Sequence, residues 1–273
     1  MTPKDKKQRP KGWLASRDQI GAWSAQAAQA LVDKDYPTVI SLCQRVLRYL
    51  PAKAPERGDA YALMGNAYAM LKLFEEFYQA LSKAIEAAPS DAYHWFNRSI
   101  SCRYTFRLGQ ALRDLERAIE LEGAGKMKKT FTKELAFTQK LVKSDLALRG
   151  PNFTVELLIK QQDWFQKGLQ ASEKGDWETA IRSFRRSIDM GDCLPQPHGN
   201  LGMCLIILHR YDEAEHALRR ALELDPKYKF ARQNLEILKT VKETGELPLF
   251  GGIHSPFEGK KLKSGITFAK DDE

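Results

Sequence analysis

An all-α fold built from stacked helix-turn-helix units is predicted by three observations. Apolar residues recur at i, i+3, i+4 and i+7, the pattern repeats at an offset of 34 residues, and short polar turns such as Glu173-Lys174-Gly175-Asp176 separate the periodic segments. The 273 residues are 43% hydrophobic and 29% charged with a mean hydropathy of -0.47, and 12 prolines and 18 glycines are too few for a low-complexity chain. That length suffices for one large or two small ordered domains.

The first segment, residues 1–19, is basic and polar without a sustained period, and reads as a disordered arm. A first unit over 20–53 places Trp23, Ala27, Ala30, Val39, Cys43, Val46 and Pro51 on the repeating template. The second, 58–91, carries Tyr61, Met64, Gly65, Tyr68, Phe77, Leu81, Ala84 and Pro89. The third, 92–125, repeats that character 34 residues on with Trp95, Arg98, Ser99, Cys102, Ala111, Leu115, Ala118 and Gly123. Residues 126–160 lack the template. Phe131, Leu135, Val142 and Leu146 instead form a stripe that ends at Gly150-Pro151, which predicts a basic spacer helix from about 130 to 148. A further helix is expected to begin near Thr154 and run into Trp164. Units four and five, 161–194 and 195–228, align Trp164, Gly168, Ala171, Ala180, Phe184 and Ser187 with His198, Gly202, Leu205, Ala214, Leu218 and Ala221. Ala231, Leu235, Leu238 and Val241 then predict a capping helix over 229–243. The last stretch, 246–273, is expected to be extended because of its prolines and glycines.

These residues resemble the tetratricopeptide repeat family, whose unit is aromatic at position 4, small at 8, 20 and 27, and Pro at 32. The resemblance covers 20–125 and 161–228, and Tyr211-Asp212-Glu213-Ala214 with Ala221-Leu222-Glu223-Leu224-Asp225-Pro226 lies very near its consensus. It implies an all-α, right-handed α-solenoid. The departures are Val39 and Phe77 at position 20, Arg98 and Lys167 at position 7, and Gly123 and Asp192 in place of proline. A single helix pair cannot bury its apolar face alone, so the units must stack. Trp23, Trp95 and Trp164 read as wedges filling the gaps beside the small residues.

The net charge of +8 is not spread evenly. Residues 1–19 carry +4 and 124–150 carry +5, leaving the remainder near neutral. No apolar run reaches the roughly 18 residues of a membrane span, and residues 1–17 lack a secretory apolar stretch. Cys43, Cys102, Cys193 and Cys204 are widely spaced, which suits reduced thiols in a cytoplasm better than a disulfide framework or a zinc site. Cys43 and Cys102 fall on packing positions and are expected to be inert.

No phosphate-cradling loop, nucleophile elbow or His-Glu-x-x-His pair is present, so neither an enzyme nor a cofactor is predicted. The histidines are scattered: His198 in a packing slot, His209 and His216 near one turn, His94 and His254 standing alone. The resemblance places positions 2, 5, 6, 9, 12 and 13 of each first helix on an inner groove. Those positions hold Tyr93, Phe96, Asn97, Ile100, Arg103 and Tyr104, then Phe165, Leu169, Met203, Ile206 and Ile207, an apolar wall expected to mark a site for an apolar peptide or partner helix. Asn66, Asn97, Asn200 and Asn234 recur on that surface, and an amide can pair with an extended peptide backbone through both donor and acceptor. The family's carboxylate clamp is not expected, because Ala62 stands where it needs a lysine and the spacer replaces its third unit. The expected role is therefore a non-catalytic interaction scaffold with a protein or peptide partner and no small-molecule substrate. The basic spacer helix and N-terminal arm leave nucleic acid or an anionic surface as the alternative, and the tail Leu247 to Phe257 is a segment able to fold into the groove.

Overall fold

The computed structural model describes residues 15–245, so the tail expected to enter the groove lies outside the described residues. Among those residues the chain forms twelve helices and no strand. It divides into two compact units between Asp145 and Leu146. Unit 1 holds α1 (Arg17–Val32), α2 (Tyr36–Tyr49), α3 (Glu56–Met70), α4 (Phe74–Ala87), α5 (Ala92–Tyr104), α6 (Leu108–Glu122) and nearly all of α7 (Lys128–Ala147). Unit 2 holds α8 (Val155–Glu173), α9 (Trp177–Met190), α10 (Pro195–Ile207), α11 (Tyr211–Leu224) and α12 (Lys229–Thr244). The arm is shorter than its composition suggests, since α1 begins at Arg17, with the Ser16 hydroxyl accepting the Gln19 N–H at 3.1 Å.

One backbone device closes every helix pair. Lys34, Lys72, Phe106, Gly175 and His209 are left-handed, with φ of 62, 61, 56, 73 and 58°. The next residue's N–H reaches back five positions, from Asp35, Leu73, Arg107, Asp176 and Arg210 to the carbonyls of Ala30, Tyr68, Cys102, Ala171 and Leu205, at 2.8 to 2.9 Å. That same residue then caps the following helix, so one peptide ends one rod and starts the other. Asp35 and Asp176 add their side chains, each accepting a threonine N–H at 3.2 Å. Four of the five left-handed residues carry a Cβ, at a cost of roughly 1 to 2 kcal/mol each, offset by the tightly bonded turn.

Within each pair, small residues set how closely the helices approach. A Cβ added to Gly168 would lie 2.5 Å from the Phe184 ring, whereas one added to Gly65 would meet Leu81 and Phe77 at an ordinary 3.4 Å. Gly168→Ala is therefore expected to lose about 1 to 3 kcal/mol through overpacking. Gly65→Ala should be neutral or gain up to about 1 kcal/mol from helix propensity. Thermal unfolding of the two variants followed by circular dichroism checks the contrast, and equal losses would show that position 8 is not the point of closest approach.

The departures from the template have local reasons. Val39 and Phe77 are buried between the paired helices. Arg98 forms a two-pronged ion pair with the fully buried Asp114, at 2.8 and 2.7 Å, and Gln110 donates to the same carboxylate at 2.7 Å. The guanidinium sits over the Trp95 and Tyr78 rings, 5.1 and 5.9 Å from their centroids. Lys167 rests on Trp164 at 4.3 Å. Trp23 is buried, but Trp95 and Trp164 are only half-buried. Burial pushes the thiols of Cys43 and Cys204 up to about 11 and that of Cys102 well above its ordinary value, which makes all three poor nucleophiles at neutral pH.

Candidate functional site

In unit 1 the inner residues lie on α3 and α5. Asn66 and Asn97 are both half-buried, and neither side-chain amide hydrogen-bonds to a described residue. Tyr93 is 49% exposed beside them, and Met70 and Val32 are exposed at the ends of α3 and α1. Tyr104 is half-buried and stacks on Phe74 with centroids 4.2 Å apart and planes 3° from parallel.

Part of the predicted wall is covered by α7. Phe131 is fully buried, stacked on Phe96 at 4.4 Å and edge-on to Tyr93 at 6.0 Å. Arg103 pairs with Glu134 at 2.7 Å and lies over the Phe137 ring at 5.3 Å. The spacer helix thus docks on the inner face of α5 and takes up part of the apolar surface that the sequence assigns to a partner. Ile100 is buried as well. The outward face of α7 is the polar one: Lys129, Lys133, Lys140 and Lys143 are exposed and, with Lys126 and Lys128, form no ion pair among the described residues.

In unit 2 the expectation of an exposed apolar wall is corrected more fully. Phe165, Met203 and Ile206 are buried, and Leu169 and Ile207 are half-buried. Phe165 tilts against Phe184 at 5.7 Å, so it fills the helix pair rather than facing outward. Asn200 is also buried: its amide nitrogen donates to the Gln196 carbonyl at 3.0 Å and its oxygen has no partner among the described residues. The Asn234 amide nitrogen is likewise buried and unsatisfied. A cleft of about 450 Å³ lies between α9, α10 and α11, with Leu201 and Leu205 on its floor and the Arg185–Glu213 pair on its rim, away from the inner positions.

His198 fills its packing slot and meets Asp192 at 2.6 Å. Burial, which outweighs the Asp192 contact, holds its imidazolium below the ordinary range, so the ring is neutral at pH 7. His94 does not stand alone as the spacing suggested: Asp91 is 3.8 Å away and Asp59 joins them. That grouping was not legible, because 32 residues separate the two aspartates and only helix stacking brings them together.

Comparison with known proteins gives matches to a family model described as the tetratricopeptide repeat at residues 58–91 and 195–228. Human DnaJ homolog subfamily C member 7 is 22% identical over 192 residues, which is 63% of this chain and 37% of that protein. This chain thus spans little more than a third of that relative's length. An uncharacterized protein of Methanocaldococcus jannaschii is 30% identical over 70 residues, 26% of this chain and 81% of that one. Among solved structures, the Sgt2 TPR domain from Aspergillus fumigatus covers 54% of this chain and 93% of its own, at 17% identity and a TM-score of 0.44. The TPR2AB domain of yeast Sti1 in its pHSP90 complex covers 84% of this chain and 86% of its own, at 14% identity and a TM-score of 0.41.

Proposed function

The chain belongs to the tetratricopeptide repeat family, and on that premise we propose that it is a non-catalytic interaction scaffold whose unit 1 groove takes an extended peptide segment of a protein partner. The observation that carries this reading is the pair of half-exposed amides, Asn66 on α3 and Asn97 on α5, with no hydrogen bond to spend inside the fold. Each can donate to and accept from a peptide main chain whatever its side chains are. Tyr93, flanking them, supplies an exposed ring for an apolar side chain of the peptide. The surface needed for a partner is therefore mixed, with amides for the backbone and one aromatic face, rather than the continuous apolar wall that the resemblance implies. Unit 2 supports a packing role for Phe165, Met203 and Asn200, since all three are buried.

The test places a photo-crosslinking residue at Tyr93, identifies what it captures, and compares the otherwise unchanged protein with Asn66→Ala/Asn97→Ala. Both sites are without internal partners, so unfolding stability should stay within about 0.5 kcal/mol. Losing two amide pairings should weaken a synthetic peptide from the captured partner at least about tenfold. Equal affinity in both proteins would overturn the groove assignment. Ile100 is a poor probe, because it is buried and a polar substitution there would report on folding.

A further inference from the structure

Asp59 in the first turn of α3, and Asp91 and His94 at the start of α5, each offer one ligand atom within 4.8 Å of the others. Three observations distinguish this group from a chance cluster of surface acids. His94 is 3% exposed, yet its ring makes no hydrogen bond among the described residues: Nδ1 has no partner there, and Nε2 faces Asp91 Oδ2 at 3.8 Å, too far for one. The ring also packs closely on α3, since a Cβ on Gly58 would lie 3.0 Å from its Cε1. Asp91 is oriented too, because its other oxygen caps α5 by accepting the Tyr93 N–H at 2.8 Å. Asp59 is exposed and its carboxylate makes no hydrogen bond or ion pair among the described residues, so it can swing to meet a ligand.

We propose that Asp59, Asp91 and His94 bind a divalent transition-metal ion, with water completing its coordination. Ligands about 2.0 to 2.2 Å from a tetrahedral zinc lie roughly 3.3 Å apart, so the 3.8 Å between His94 and Asp91 closes by about half an ångström and the exposed Asp59, within 4.8 Å, by up to about 1.5 Å. The imidazole selects a borderline metal over magnesium or calcium, which prefer oxygen ligands. Two carboxylates balance the charge of the ion. The positive ends of α3 and α5 oppose it, and Nδ1 must carry the ring proton without an acceptor, so binding is weaker than in a closed four-ligand structural site. Because Asp59 lies in the first turn of α3 and the other two ligands cap and open α5, an ion here would pin the first helices of neighbouring repeats within unit 1.

The test uses the full chain, stripped with chelator and titrated with zinc chloride by calorimetry, alongside Asp59→Asn, Asp91→Asn and His94→Gln. Asparagine retains the α5 cap, and Asp59 is exposed, so the two aspartate variants should fold normally. The expected result is that wild type binds one more zinc than each variant, or binds at least about tenfold tighter at that site. Zinc should also raise the melting temperature of wild type but not of Asp59→Asn, and magnesium at the same concentration should raise neither. No zinc uptake by wild type would overturn the proposal. So would equal uptake by wild type and both aspartate variants, which would place the metal on the other histidines or cysteines.

Discussion

Asp114→Ala is expected to cost about 3 to 5 kcal/mol, because it strands a charge that the fold has taken out of water. Asp114 is fully buried, and it receives both prongs of Arg98 and the Gln110 amide. Without the carboxylate, the guanidinium remains over Trp95 and Tyr78 with only the Ser82 hydroxyl, 3.4 Å away, as a side-chain acceptor among the described residues. The diagnostic comparison is Arg98→Met/Asp114→Leu, which removes both charges together and should lose less than Asp114→Ala alone. Chemical denaturation read through the tryptophan fluorescence of each variant supplies the numbers. A loss below about 1 kcal/mol for Asp114→Ala would mean that water or a neighbouring group takes the place of the carboxylate.

Phe131→Ala should lose a similar amount, about 3 to 5 kcal/mol, for a different reason: it empties an aromatic site instead of stranding a charge. The ring is fully buried against Phe96, Tyr93 and Ala118, and it is the largest fully buried side chain that α7 contributes. Beyond this ring, the contact that ties α7 to α5 is the Arg103–Glu134 pair. Truncation should therefore loosen the helix before the repeats themselves. Hydrogen exchange should show amides of 128–147 losing protection ahead of those in α3 and α4. Phe131→Leu keeps most of the apolar volume and should recover part of the loss. If α7 stays as protected in Phe131→Ala as in the parent, this ring is not its anchor.

The repeats were legible because their signal is redundant: Gly65, Gly168 and Gly202 mark one structural position, and the aromatic residues before them recur at the same spacing. A register error in one copy is corrected by the others. The turns were less legible than the helices, since the residue made left-handed is lysine, phenylalanine or histidine in four of five units, and only Gly175 carries the residue type that announces it. The candidate site was partly legible. Asn66, Asn97 and Tyr93 remain accessible, whereas Ile100, Phe165 and Met203 are buried. Helical periodicity assigns a residue to a face, but it does not say whether another helix covers that face. Phe131 makes the difference in unit 1, and its contact with Phe96 spans 35 positions with no repeat to indicate it.

The left-handed residues also act as a metre for the chain. From Lys72 to Phe106, and from Gly175 to His209, the interval is one period of 34 residues, while from Phe106 to Gly175 it is 69, two periods and one residue more. The stretch holding α7 has therefore the length of a complete unit. One period beyond Phe106 is Lys140, and there the chain runs straight on through the middle of a 20-residue helix. In these terms α7 is a beat on which the chain does not reverse: a single rod of about 30 Å stands where a hairpin would, and the rhythm resumes one residue late.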